Sequence, residues 1–202
     1  MSFWTLRRTA ALLKRPASAR KLPRLLFFTD AERTPNAEAV AATLPPDSAV
    51  VFRAFGAADA EAQARRLLAI CRAGRCKLLI GADHSLALRI GADGVHLPER
   101  LAHRARAVRR HGWIVTAAAH SERAARGALA AGADAAVVSV IFPSRSPSAA
   151  RAMGPLRLAR LARGVPGQLY ALGGVGNETA RRLKDAGLVG LAAVEGLAGS
   201  RT

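Results

Sequence analysis

The chain has 202 residues, of which half are hydrophobic and 4% aromatic, and its formal net charge is +17. That length fits one large domain or two small ones. No apolar run reaches the roughly 18–20 residues that span a bilayer, so we expect no membrane partner and a cytoplasmic location. The basic excess attracts phosphate groups. Because the arginines are scattered along predicted helices without an aromatic platform, a nucleic-acid partner is not favoured.

The first 24 residues are basic, with no acidic residue before Asp30. This composition has two interpretations, an organellar transit peptide or a basic N-terminal helix that ends before Pro16 and Pro23. We favour the helix. The predicted organisation is therefore a helical segment over 1–23 followed by a single domain over 24–202.

Apolar, β-rich runs recur along the rest of the chain and alternate with segments of helical period, such as Ala58–Arg72 and Ser121–Ala131. Several of the predicted helices end at a glycine two or three residues before the next strand. The predicted strands are Leu25–Phe28, Val50–Phe52, Lys77–Ile80, Gly94–Leu97, Trp113–Ala117, Ala135–Val140, Gln168–Leu172 and Gly190–Val194.

Continuous apolar strands with helices between them are typical of a parallel sheet buried on both faces. Eight such strands predict an α/β fold, a closed (β/α)8 barrel. The alternative is a doubly wound open sheet, but no G-x-G-x-x-G follows the first strand. The last helix must be short, because only eight residues follow the eighth strand. Either the N-terminal helix or a second subunit of a homo-oligomer would cover that gap.

In such barrels the working residues lie at the carboxyl ends of the strands. Paired glycines at the end of the seventh strand favour a phosphate site, because they let backbone amides approach a ligand closely. The alternative is a tight turn without a ligand. The residues selected by this rule are Thr29, Asp30, Arg53, Asp83, His84, His96, Glu99, His120, Ser144, Arg145, Ser146, Gly173, Gly174, Glu195 and Gly196.

Four stretches contain most of these residues: FFTD (27–30), LLIGADHSLALRIGADGVHLPE (78–99), AAAHSERAARGALAAGADAAVVSVIFPSRSPS (117–148) and YALGGVGNETARRLKDAGLVGLAAVEGL (170–197). Together they resemble the thiamine phosphate synthase/TenI family of (β/α)8 barrels. They look like that family's first strand, third and fourth strands, fifth and sixth strands, and last two strands. The resemblance covers about Leu25 to Leu197.

The resemblance implies a role in thiamine biosynthesis and small phosphorylated ligands. The family's synthase, a transferase, joins a pyrimidine methyl diphosphate to a thiazole phosphate and uses Mg²⁺. A TenI-type relative isomerises a thiazole carboxylate phosphate by proton transfer without metal. A third hypothesis is a non-catalytic ligand-binding or regulatory barrel.

At the end of the second strand the family has Gln-x-Arg-x-Lys, of which only Arg53 remains. Val51 and Phe55 stand at the other two positions. The family's magnesium carboxylates follow the third and fourth strands. Here Asp83 and Glu99 are the nearest carboxylates, displaced from the family's positions, and they are the candidate Mg²⁺ ligands. The alternative is that both are solvated loop residues.

After the sixth strand the family holds diphosphate oxygens with a Thr-x-Thr-Lys loop. The resemblance assigns this task to Ser144 and Ser146, with Arg145 substituting for the lysine. Arg145 is equally interpreted as an ordinary surface arginine. At the end of the fifth strand, His120 is the candidate base of the tautomerase reaction. Alternatively it caps the next helix or pairs with Glu122.

The eighth strand of the family ends in a serine near the phosphate, where this chain has Glu195. A carboxylate repels a phosphate dianion in a partly buried site. The resemblance therefore implies one of three outcomes at Gly173, Gly174 and Gly196: Glu195 turns away, it binds a cation, or the ligand is no longer the usual phosphate.

Overall fold

The computed structural model describes residues 3–144 and 152–197, with side chains from Leu6 onward. Its eight strands are parallel and pair in chain order, and the last strand pairs with the first to close a barrel. The predicted (β/α)8 fold is confirmed. The strands are β1 Leu25–Phe28, β2 Ser48–Phe52, β3 Lys77–Gly81, β4 Gly94–Leu97, β5 Ile114–Ala119, β6 Ala135–Val138, β7 Leu169–Ala171 and β8 Gly190–Ala193.

Helices surround the barrel, and their apolar faces build its outer core. In the third of them Ala64, Leu67, Leu68 and Cys71 are buried, the i, i+3, i+4, i+7 spacing of an amphipathic helix. Seven α-helices lie in the described residues: α1 Phe3–Leu12, α2 Ala37–Ala42, α3 Ala60–Ala73, α4 His84–Ile90, α5 Ala105–Val108, α6 Glu122–Ala130 and α7 Pro155–Gly164.

The connection after β7 and the end of the described chain form only short 3-10 turns, Ala180–Leu183 and Glu195–Leu197. Helix α1 packs against both turns and against β8. Its Leu6 and Ala10 side chains are buried in the same apolar cluster as the barrel. The backbone N–H of Leu6 donates to Asn177 Oδ1 at 3.1 Å. The predicted N-terminal helix therefore covers the place of a last helix.

The segment between α1 and β1 closes the amino-terminal end of the barrel. The guanidinium of Arg24 donates to the carbonyls of Ala10 and Ala11, each at 3.2 Å, at the carboxyl end of α1. The buried hydroxyl of Tyr170 donates to the carbonyl of Pro23 at 2.6 Å. Across residues 3–144 and 152–197, no helix combines the length and apolarity needed to cross a membrane.

Candidate functional site

A cavity of about 900 Å³ opens at the carboxyl ends of the strands, and residues at or after the end of every strand line it. Most of the predicted site residues meet there. Arg145 and Ser146 lie outside the described residues, and Thr29, Asp30, His84 and Glu99 do not line the cavity. The predicted residues that line it are Arg53, Asp83, His96, His120, Ser144, Gly173, Gly174, Glu195 and Gly196.

One wall, which we call the arginine side, is formed by Arg33, Arg53 and Phe55 after β1 and β2. The Nε of Arg53 donates to the carbonyl of Thr29 at 2.8 Å, and its Nη2 lies 3.2 Å from Asp30 Oδ2. Arg33 Nη2 lies 2.7 Å from the same carboxylate oxygen. One carboxylate thus positions two guanidinium groups, which leaves a net positive charge beside the cavity.

Both members of the Asp30–Arg53 pair remain charged at neutral pH. Burial lowers the pKa of Arg53 to about 10, and Asp30 partly offsets that effect. Burial raises the pKa of Asp30, but the hydrogen bonds and charge of Arg33 outweigh it, so the pKa lies below its usual 3.8. A fixed cation of this kind binds phosphate oxygens through two parallel N–H groups.

His96 lies at the base of the arginine side and is almost fully buried. Its Nδ1 is 2.9 Å from Thr116 Oγ1, and the ring of Phe28 meets its own edge-on at 4.9 Å. Burial, with the nearby charge of Arg53, lowers the pKa of His96 to about 3. The imidazole is therefore neutral at physiological pH and offers the cavity a polar but uncharged group.

A second wall, which we call the glycine rim, consists of Gly173, Gly174 and Val175 after β7 and Gly196 after β8, the strand that pairs with β1. Gly174 has a φ of +63°, and a Cβ there would lie 2.6 Å from the carbonyl oxygen of Pro143. Gly196 packs directly against the backbone of Val175. The backbone N–H groups of residues 173–175 donate to no atom of the described residues. These amides belong to residues that line the cavity, and backbone donors at such a position can bind a phosphate.

Glu195 also lines the cavity next to this rim. The residue that replaces the family's serine therefore belongs to the lining of the cavity. A carboxylate that approached the rim would weaken its attraction for a phosphate dianion.

His120 lines the cavity after β5, and its Nδ1 is 3.1 Å from Ser139 Oγ. The structure shows His120 in neither of its two alternative roles, capping α6 or pairing with Glu122. Ser121 accepts the backbone N–H of Ala124 at the start of α6. Glu122 instead pairs with Arg126 at 2.9 Å.

Each of the two candidate magnesium ligands accepts a backbone N–H. Asp83 lines the cavity, but its Oδ1 accepts the backbone N–H of Leu86 at 2.8 Å and caps α4. Glu99 lies outside the cavity lining and accepts the backbone N–H of His120 at 2.7 Å. No group of three His, Cys, Asp or Glu side chains in the described residues is arranged to hold a metal. The donor set of this wall does not fit a dedicated Mg²⁺ site.

Among the lining residues that sequence reasoning missed are Arg33, Phe55 and Arg100. Arg33 stands three residues after Asp30, a spacing that predicts their ion pair. Arg100 directly follows a strand-end proline and glutamate. Phe55 stands where the family has a lysine, and the sequence indicates only that this cation is missing.

Glycine-rich strand ends after β7 and β8, with half-buried arginines on the same cavity, are the arrangement found in phosphate-binding (β/α)8 barrels. The family model described as thiamine monophosphate synthase matches residues 25–197. The chain belongs to this family, as its sequence motifs suggested.

Relatives support the assignment. The chain is 35% identical over 148 residues to the thiamine-phosphate synthase of Geobacillus kaustophilus, covering 72% of this chain and 67% of that protein. It is 39% identical over 139 residues to that of Chromobacterium violaceum, covering 67% of this chain and 66% of that protein. The chain therefore spans about two thirds of the length of these relatives. The thiamine phosphate pyrophosphorylase of Pyrococcus furiosus has the same fold, with a TM-score of 0.73, 24% identity and 89% coverage of both chains.

Proposed function

We propose that this thiamine phosphate synthase-like chain binds a phosphorylated thiazole with its phosphate on the glycine rim. The observation that carries the proposal is the row of amides at residues 173–175, which donate to no atom of the described residues and lie at the wall of a cavity of about 900 Å³. Backbone donors of this kind bind an anion without a charged side chain. The cavity volume is ample for two small substrates.

The arginine side supports a second anionic group. We propose that Arg33 and Arg53 face the diphosphate of a pyrimidine methyl diphosphate. In the coupling reaction the C–O bond to the diphosphate breaks and its electron pair leaves with pyrophosphate. The lone pair of the thiazole nitrogen then forms the new C–N bond. The two guanidinium groups stabilise the charge that develops on the leaving group, and no step is assigned to Mg²⁺ because the donor set does not fit it.

A second candidate function is the metal-free tautomerase. It is favoured by the position of His120, which lines the cavity and is held by Ser139 at 3.1 Å. A histidine there is placed to move a proton on a bound thiazole ring.

The test is a calorimetric titration with thiazole phosphate, followed by assays of both reactions with and without a chelator. We expect binding to the wild type, with about tenfold or greater weakening of pyrophosphate binding in Arg53→Ala. Arg65→Ala, which removes an exposed arginine of α3 paired with Glu61, is the matched control. Coupling that survives chelation supports the proposal. Isomerisation that disappears in His120→Ala supports the second candidate, and binding without turnover supports a regulatory barrel. Absence of binding refutes both enzyme functions.

A further inference from the structure

Phe55 is exposed at the wall of the cavity. Its exposed fraction is 68%, and the other large exposed apolar side chains of the described residues are Leu12, Leu88 and Leu156. None of those three lines the cavity, whereas Phe55 does. An aromatic ring exposed at the wall of a cavity offers a ligand a flat apolar face on which another ring can stack.

The backbone holds this ring in a costly conformation. Phe55 has a φ of +47°, in the left-handed region, and Gly56 follows with a φ of +83°. Bulky residues rarely adopt such angles. Strain of this kind persists at sites where the position of the side chain matters to function.

Arg53 also contacts the Phe55 ring. The guanidinium carbon of Arg53 lies 4.9 Å from the centroid of the Phe55 ring and 5.7 Å from that of Phe28. Ala54, Gly56 and Ala57 line the cavity next to it. These small neighbours leave space beside the ring for a flat group, and Arg53 stiffens the ring through a cation–π contact.

We infer that Phe55 is a stacking platform for the heteroaromatic ring of a phosphorylated ligand, and so determines specificity for the ring. The inference rests on the proposed function, because it assumes that phosphorylated heteroaromatic compounds enter this cavity. The platform replaces a cation by an aromatic face at the end of β2. This wall therefore selects the ring of the ligand, and the arginines beside it select the charge. The ring can belong to the thiazole or to the pyrimidine.

The experiment compares wild type, Phe55→Ala and Phe55→Tyr in calorimetric titrations with three probes. The probes are thiazole phosphate, pyrimidine methyl phosphate and ethyl phosphate, which has no ring. We expect Phe55→Ala to weaken binding of at least one ring-bearing probe about tenfold and to leave ethyl phosphate unchanged. Phe55→Tyr keeps the wild-type affinities. The probe that responds identifies which ring stacks.

Leu156→Ala removes an equally exposed apolar side chain of α7, 80% exposed and away from the cavity. It serves as the control and should change no affinity. Equal losses for ethyl phosphate and the ring-bearing probes would show that Phe55 acts only through Arg53, and would overturn the inference. Wild-type binding of a ring-bearing probe with no loss in Phe55→Ala overturns the inference alone. If the wild type binds neither ring-bearing probe, the proposed function fails together with it.

Discussion

The glycine rim and the arginine side of one cavity recognise anions by different means. The rim uses backbone amides of residues 173–175, whereas the arginine side uses guanidinium groups held by one carboxylate. A backbone site depends on conformation and close packing, so substitutions near it leave its donors in place. A side-chain site changes with each substitution. The rim keeps the family's paired glycines although Glu195 replaces the neighbouring serine, whereas the arginine side has exchanged a lysine and the metal carboxylates.

The largest effect is expected for Gly174→Ala, which tests whether the glycine rim depends on close packing. Both Gly174 and Gly56 have positive φ, but a Cβ at Gly174 would collide with Pro143 and Phe142, whereas nothing lies within 4 Å of one at Gly56. We expect Gly174→Ala to lower the free energy of unfolding by about 3 kcal/mol or more and to abolish thiazole phosphate binding. Gly56→Ala, the matched control, should cost only about 1 kcal/mol. Denaturant unfolding measures both, and equal costs would show that packing of the rim is unimportant.

The next prediction concerns the free energy of unfolding at acidic pH, which depends on His96 at the base of the arginine side. The pKa of His96 falls from 6.5 in the unfolded chain to about 3 in the folded one, so the unfolded chain binds the extra proton. Stability therefore falls as the pH drops below 6.5, by up to about 1.4 kcal/mol per pH unit. Asp30 adds a further loss only when the pH falls below its usual 3.8. Unfolding titrations between about pH 4 and 6 should show this slope.

His96→Gln should flatten that slope, because glutamine takes up no proton. A slope that persists unchanged in this variant would assign the acid sensitivity to other groups. Thiazole phosphate binding through the glycine rim should depend on pH through the phosphate itself and not through the rim.

Glu195→Ser tests whether the residue beside the glycine rim opposes a phosphate. Removing a carboxylate from the wall of the cavity relieves its repulsion of a phosphate dianion, so we expect about tenfold tighter binding of thiazole phosphate. Calorimetry at low and high salt tests it, since an electrostatic gain shrinks with added salt. An unchanged or weaker affinity would mean that Glu195 does not oppose the phosphate.

The smallest effect separates strain from contact at Phe55. Phe55→Ala and Phe55→Gly both remove the ring, but only glycine accepts a φ of +47° without strain. We expect Phe55→Gly to be about 1 kcal/mol more stable than Phe55→Ala, with equal loss of ring binding. Equal stabilities in denaturant unfolding would show that residue 55 stores no strain.

The barrel was predictable because its signals are local. Eight apolar runs separated by helix-period segments leave few other folds, and Gly173-Gly174 indicates the rim by its place after the seventh run. What the sequence does not show is the contact between loops distant in the chain. Glu99 meets the backbone of His120, 21 residues away, and is thereby diverted from the cavity. Phe55 is exposed and has a positive φ, and the neighbouring residues in the sequence predict neither property.

The position of α1 has a consequence for how the chain is made. Its Leu6 and Ala10 are buried in the finished barrel, and its amide at Leu6 bonds to Asn177, 171 residues later. A ribosome adding about 5–20 residues per second leaves that apolar face without its partner for roughly 10–30 seconds. During this interval the exposed apolar face can associate with other chains and aggregate. Like charges on the basic residues of the same segment oppose its association with other chains until the last strand is made.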